Sequence, residues 1–276
     1  MSDPGTTARD WALASSVFDV YDELLVPLLF QPYADDLVHR LADTRDASIL
    51  EVGAGTGVLT RALAAVLPPS VAITATDLVP GMVDRAAQVG AARAVTWETA
   101  NACALPYGDE SFDVVVCQLG AMFFTPKRDA FADAARVLRP GGRFLFSVWD
   151  RIEENDFGAA VAAALPRVFP RDPPGFLEHV PYSYHDAAVI EADLRAGGFP
   201  PPYLLERVER RSLAASAGAV AAAFCAGTPL RDQIEARGPG CLEAAIDGVT
   251  SELEARFGTA NLDGRMSALV VSPEKG

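Results

Sequence analysis

The sequence predicts an α/β fold: a doubly wound, mostly parallel seven-stranded sheet with helical cap insertions. Three observations predict it. From Ser48 to Trp149, short apolar runs alternate with segments of helical periodicity. The first run, Ile49-Leu50-Glu51-Val52, passes straight into Gly53-Ala54-Gly55-Thr56-Gly57, whose glycines suit a sharp strand-to-helix turn. Half of the 276 residues are apolar, enough for the core of one large domain or of a domain with a smaller cap.

The elements follow in order. The first forty residues have helical spacing over Asp10–Tyr21 and Asp35–Leu41, with Pro27 and Pro32 expected to break the chain between them. Strand one is expected at Ser48–Val52 and strand two at Val71–Thr76, ending at Asp77. Pro80 opens a helix that runs to about Val89. A short strand around Ala94–Glu98 comes third, and Phe112–Cys117 is a clean apolar fourth. A helix at Arg128–Leu138, a turn at Arg139-Pro140-Gly141-Gly142 and a fifth strand at Arg143–Trp149 close the alternating part. Residues 151–185, rich in proline and glycine, read as an inserted cap. Asp186 is placed to cap a helix over Ala187–Ala196, which Gly197-Gly198 ends. A strand at Tyr203–Arg211, a helical insertion over 213–260 and a last strand at Arg265–Ser272 complete the chain. The expected division is 1–44 (N-terminal helical lid), 45–150 (core), 151–185 (first cap), 186–212 (core continued), 213–260 (second insertion) and 261–276 (final strand).

Composition excludes several functions. The formal charge of −14 argues against a nucleic-acid partner, because phosphate backbones need a basic face, and only Arg207, Arg210 and Arg211 cluster. No run of about 18 uncharged apolar residues suggests a membrane span, and Met1-Ser2-Asp3-Pro4-Gly5 lacks the pattern of a signal peptide. Cys103, Cys117, Cys225 and Cys241 form no Cys-x-x-Cys pair and no zinc spacing with histidine, so reduced thiols in a cytoplasmic protein and no metal are expected. Neither a phosphate loop nor a serine nucleophile elbow is present.

The glycines are spaced Glu51-x-Gly53-x-Gly55-x-Gly57, not Gly-x-Gly-x-x-Gly as in dinucleotide sites. With Asp77 ending the next strand, this resembles the nucleotide-binding motif of class I S-adenosylmethionine (SAM) methyltransferases. Ala102-Cys103-Ala104-Leu105-Pro106-Tyr107-Gly108-Asp109-Glu110-Ser111-Phe112-Asp113-Val114-Val115 and Arg136-Val137-Leu138-Arg139-Pro140-Gly141-Gly142-Arg143 resemble two further segments of the UbiE-like branch. The likeness covers about residues 45–150; the remainder agrees only in layout.

The resemblance implies SAM as cofactor, with S-adenosylhomocysteine as product, and a set of roles. Gly53, Ala54, Gly55 and Gly57 let the methionine part approach the backbone. Glu51 organises that turn or compensates positive charge; alternatively it is a structural acceptor for loop amides. Asp77 accepts from both ribose hydroxyls, a carboxylate suiting a vicinal diol, or else caps the helix at Pro80. Leu78 belongs to the cofactor-binding set, and Met82 lies against the adenine, unless it only packs in the core. Asn101-Ala102 stands where the family often has Asp-Ala; the Asn101 oxygen can still accept from the adenine amine, or can cap a turn. Gln118 faces the reacting region. Leu119, Met122, Phe123 and Phe124 line an acceptor pocket or belong to the core. Phe18, Tyr21 and Tyr33 loosely match lid aromatics, Tyr21 best; Tyr21 and Phe18 alternatively fix the N-terminal helix to the core. His179 and His185 flank Tyr182-Ser183-Tyr184, and no catalytic base is assigned.

The function expected is methyl transfer to oxygen or carbon, with nitrogen also open, of a small, partly apolar metabolite by a monomer or homodimer, without nucleic acid or membrane. Two alternatives stay open. One is a SAM-binding protein that transfers no methyl group, cyclase-like or regulatory. The other is an NAD-dependent oxidoreductase, since Asp77 also suits the NAD ribose.

Overall fold

The computed structural model describes residues 7–273 and 275; the Met1–Gly5 stretch read above for a signal peptide lies outside them. The chain divides into two compact units. One comprises Gln31–Trp149, Tyr184–Val208 and Ala268–Gly276 and carries the five parallel strands. The other comprises Met1–Phe30, Asp150–Ser183 and Glu209–Ser267.

The seven strands are β1 (Ser48–Val52), β2 (Ala72–Asp77), β3 (Thr96–Thr99), β4 (Phe112–Cys117), β5 (Leu138–Trp149), β6 (Leu204–Ser216) and β7 (Ala260–Ser272). Their spatial order is β3-β2-β1-β4-β5-β7-β6. Strands β1 to β5 pair in parallel, and β7 runs antiparallel to β5. The order reverses beside β1, which continues to β2 on one side and meets β4 on the other. This is the switch point where ligands bind in open α/β sheets. Apolar β1 and β4 are buried because helices cover both faces of a parallel sheet. Phe144 and Phe146 lie two residues apart on one face of β5 and stack at 4.8 Å, with Phe131 and Phe199 against them at 5.4 and 5.5 Å.

The turn expected at Arg139–Gly142 is an excursion within β5. Phe112 pairs with Leu138, but Val114 pairs with Arg143, so the intervening residues leave the ladder and return. Gly141 takes a positive φ of 74° there.

Helices of the sheet-bearing unit lie at Gln31–Leu41, Val58–Val66, Pro80–Val89, Lys127–Val137 and Ala187–Ala196. Asp186 caps the last of these as expected, accepting from Ala188 N at 2.8 Å and Val189 N at 3.4 Å. In the other unit, Ala217–Gly227 is buried along almost its whole length, because its alanines offer no polar face. Helices Asp156–Val168 and Cys241–Phe257 belong to the same unit. Its buried polar knot joins Asp150, Asn155 and Ser267. Ser267 Oγ donates to Asp150 Oδ2 at 3.0 Å, and Ser267 N donates to Asn155 Oδ1 at 3.1 Å.

The break expected at Pro27 and Pro32 is not found. Tyr21–Phe30 is a wide π-type helix with Pro27 inside it, and Pro32 falls in the first turn of Gln31–Leu41. Proline is costly in an α-helix because it lacks an N–H and its ring crowds the carbonyl four residues back. A π-type turn changes that spacing around Pro27, and Pro32 sits where the π-type helix passes directly into Gln31–Leu41 and the bonding pattern changes.

Candidate active site

Parallel pairing brings the carboxyl ends of β1, β2 and β4 to one edge. Val52 lies opposite Thr76 and Glu51 opposite Val116. The glycine turn leaves β1 with positive φ values of 71° at Gly53, 56° at Gly55 and 88° at Gly57. Ala54 N donates to Thr76 O at 2.9 Å, so the turn folds back over β2. Gly57 opens the next helix. A Cβ there would lie 2.7 Å from the Trp97 ring. Gly57→Ala therefore combines backbone strain with a clash, and should lower unfolding stability by roughly 1–3 kcal/mol. Urea denaturation checks this; an unchanged midpoint would show that the turn tolerates a side chain.

Asp77 is the hinge of the site. Its Oδ2 accepts from Gly55 N at 2.8 Å, and its Oδ1 accepts from Val79 N at 2.9 Å. One carboxylate thus holds the glycine turn against the end of β2. The helix-cap alternative does not describe this geometry: the cap residue of Pro80–Val89 is Val79, which has no side-chain cap bond. Burial raises the Asp77 pKa, and the bonds from the Val79, Gly55 and Leu78 amides oppose that rise.

Glu51 is 1% exposed. Its Oε2 accepts from Thr60 Oγ1 at 2.5 Å. Burial is the main reason its pKa is pushed up to about 8; Asp77 adds to the rise, while the Thr60 bond and Arg61 oppose it. At neutral pH the side chain is therefore mostly a neutral acid. Of the two readings of Glu51, acceptor for loop amides receives no support here, because the hydrogen bond runs to a side chain of the following helix.

Leu78 beside Asp77 is 63% exposed, an apolar surface at the sheet edge. Met82, one turn into the next helix, is partly exposed and so is not only core. Ala100 N donates to Asp77 O at 3.0 Å, which brings the Asn101-Ala102 corner to β2. Asn101 Oδ1 accepts from Cys103 N at 2.9 Å, the turn-capping role, and retains a second lone pair.

Gln118 is 8% exposed at the end of β4. Leu119 then takes φ = 49°, a left-handed conformation rare for leucine. Its N–H is fixed by Ser147, at 3.0 Å to the carbonyl and 3.1 Å to the hydroxyl. Gly120 must be small, since a Cβ would lie 2.8 Å from Cys117 Sγ. Leu119 and Met122 are buried, whereas Phe123 is 49% exposed. Lys127 Nζ donates to Met122 O at 3.1 Å and Phe124 O at 3.2 Å, bracing this loop.

The aromatic and histidine candidates separate. Tyr33 is fully buried, donates to Val208 O at 3.2 Å and stands edge-on to Trp149. It is a core residue, and the lid role is corrected for it. Tyr21 lies in the other unit and stacks on Phe30 at 5.1 Å. His179 Nδ1 donates to Gly175 O at 2.8 Å, an interaction within its own turn. Sequence reasoning missed Thr60 and Lys127, and named Leu119 without its left-handed backbone. The only sequence signal for Thr60 is its place in the first helical turn after the glycines.

The donor set fits SAM. Both Asp77 oxygens keep an accepting direction for a diol after their amide bonds. Three left-handed glycines leave the turn without side chains. Thr56 Oγ1 is buried without a partner among the described residues, which leaves a hydroxyl for the cofactor's methionine end. Among the described residues there is no cluster able to hold a metal and no helix long and apolar enough to cross a membrane.

Comparison with known proteins agrees. Residues 50–146 match the family model described as Methyltransferase domain. A demethylmenaquinone methyltransferase from Deinococcus radiodurans is 35% identical over 125 residues, which is 45% of this chain and 52% of that protein. The chain spans about half the length of such curated relatives. Among solved structures, the YcgJ protein from Bacillus subtilis superimposes with a TM-score of 0.56 at 20% identity, covering 88% of this chain and 98% of that one. The [4+2]-cyclase SpnF superimposes with a TM-score of 0.57 at 17% identity, covering 99% and 98%. Residues 50–146 thus resemble a methyltransferase domain, and the sheet that carries them has the fold of class I methyltransferases.

Proposed function

We propose that the chain transfers the methyl group of SAM to carbon or oxygen of a small, partly apolar metabolite in the cytoplasm. The observation that carries this reading is Asp77: one carboxylate both fastens the glycine turn and ends β2, where a ribose diol would meet it. When bound, SAM supplies a methyl group already activated by its positive sulfur, so alignment and exclusion of water do most of the work. Asp77 holds the ribose. Gly53, Ala54, Gly55 and Gly57 admit the methionine end, with Glu51 beneath them and Thr56 as a polar contact. Leu78, Met82 and the Asn101-Ala102 corner take the adenine. Gln118 faces the reacting end, and the braced loop with Leu119, Met122 and Phe123 offers apolar surface to the acceptor.

The name of the Deinococcus relative favours a small organic acceptor. The net charge of −14 disfavours a polyanionic one through repulsion. Calorimetric titration should show binding of SAM and S-adenosylhomocysteine and little response to NAD. Binding of NAD alone would overturn the proposal in favour of an oxidoreductase. The likeness to a cyclase keeps a second reading in view, because this fold hosts more than one chemistry. Labelled SAM incubated with a small-molecule extract separates the two: label in an extract component supports transfer, and binding without transfer supports the cyclase-like role.

A further inference from the structure

The loop that follows β4 is pinned at both ends. It starts against the glycine turn. A Cβ on Gly53 would lie 3.8 Å from Gly120 Cα, and one on Gly120 would lie 3.7 Å from Gly53 O. Leu119 N is held there by Ser147 of β5. At the far end, Lys127 Nζ reaches back to Met122 O at 3.1 Å and Phe124 O at 3.2 Å.

Lys127 does no service to its own helix. It is the first residue of Lys127–Val137, and the amide end of a helix disfavours a cation. Burial also holds its pKa below the usual lysine range, while Asp193 opposes that. The partners of the ammonium explain its place. Besides the two carbonyls, Nζ stands 4.5 Å from the centre of the Tyr184 ring. Tyr184 is buried, and its hydroxyl donates to Asp193 Oδ2 at 2.9 Å. Two carbonyls and the negative face of a ring are enough for three N–H groups. The ammonium is committed to the loop and is not placed as a base.

What the ammonium fixes is Phe123. Met122 and Phe124 flank that residue, and Lys127 holds both their carbonyls. Ala121–Phe123 is a single short 3-10 turn with the poorer hydrogen-bond geometry of that helix, so an outside clip matters. Ala121 and Met122 are buried, whereas Phe123 is 49% exposed. A large aromatic side chain is therefore held exposed on a loop at the carboxyl end of the sheet, where ligands of open α/β folds bind.

We propose that Lys127 is a positioning residue for the acceptor: it clips the carbonyls on either side of Phe123 and so presents that ring to the substrate. This rests on the methyl-transfer reading.

Transfer of label from SAM to a small-molecule extract, followed at rising extract concentration, tests it. Lys127→Met keeps the apolar stem and removes the cation. The extract concentration that gives half-maximal transfer should rise at least about tenfold, because a small misplacement of a positioning group costs that much or more. Affinity for S-adenosylhomocysteine, read by calorimetry, should stay within about twofold, since the glycine turn is fastened by Asp77 instead. Lys127→Arg keeps a cation able to donate to carbonyls and to stack on Tyr184, and should recover most of the loss. Phe123→Ala, at an exposed site, should raise half-saturation by a similar factor. The double variant K127M/F123A should be no worse than either single one, because Lys127 acts through Phe123. A merely structural brace would add its effect to that of Phe123→Ala. Urea midpoints identify the folded variants. Lys127→Gln, which keeps N–H donors without the charge, replaces Lys127→Met if the latter does not fold, and should shift half-saturation in the same direction. A wild type that labels no extract component overturns the methyl-transfer reading and this inference with it. Where the wild type does transfer label, unchanged half-saturation in either single variant, or additive losses in the double variant, overturns the role of Lys127 alone.

Discussion

Asp77→Ala should lower the affinity for SAM and S-adenosylhomocysteine at least about tenfold while the sheet stays folded. Two ribose hydroxyls would lose their acceptor, and hydrogen bonds to a charged group contribute about 1.5–3 kcal/mol each, with poor additivity. One such bond already exceeds the roughly 1.4 kcal/mol that a tenfold change represents. A second loss adds to it, because the substitution also removes the acceptor of Gly55 N and Val79 N. The glycine turn is then no longer tied to β2 by that carboxylate. Asp77→Asn separates the two contributions. It keeps one oxygen for a backbone amide or a hydroxyl but not for all four donors, so it should fall between wild type and alanine. Calorimetry reads the affinities, and circular dichroism checks the fold. Unchanged affinity in a folded Asp77→Ala protein would remove Asp77 from the cofactor site.

The sequence disclosed the parts of this molecule that rest on local rules. Buried parallel strands must be apolar on both faces, which made Ile49–Val52 and Phe112–Cys117 plain. Left-handed turns favour glycine, which made Gly53–Gly57 plain, and an aspartate immediately before a helix reads as its cap, as Asp186 does before Ala187. What was not legible depends on tertiary placement. Nothing about leucine announces φ = 49° at Leu119; the Ser147 carbonyl and hydroxyl impose it from β5. The Glu51–Thr60 bond joins residues nine apart and depends on how the helix leaves the turn. Tyr33 has the composition of a lid residue and the position of a core one, because its hydroxyl finds a backbone carbonyl on β6. Pro27 was misread because the proline rule is written for α-helices, and this segment is wider.

Glu51 gives the protein a pH dependence opposite to that of an ion-paired carboxylate. Its pKa in the folded chain is about 8 against an ordinary 4.5, mainly because burial penalises the charge. Between these values the native state holds a proton that the unfolded chain has released. Its contribution to stability is therefore fully present below about pH 4.5 and is lost as pH rises through about 8. Asp77, whose pKa is also raised, acts in the same direction, and each charge disfavours the other. At about 1.4 kcal/mol per unit, the loss across that window is on the order of a few kcal/mol. Glu51→Gln mimics the neutral acid and still offers Thr60 an acceptor. The variant should match wild type near pH 5, exceed it in stability at pH 9, and lose most of the slope between. A cationic cofactor above the glycine turn favours the ionised acid, so SAM binding to wild type should tighten as pH rises and release protons; the glutamine variant has no such proton to release. Urea unfolding across the pH range, with SAM calorimetry in buffers of different ionisation enthalpy, measures both effects. If wild type and Glu51→Gln share the same pH slope, the proton does not reside on Glu51.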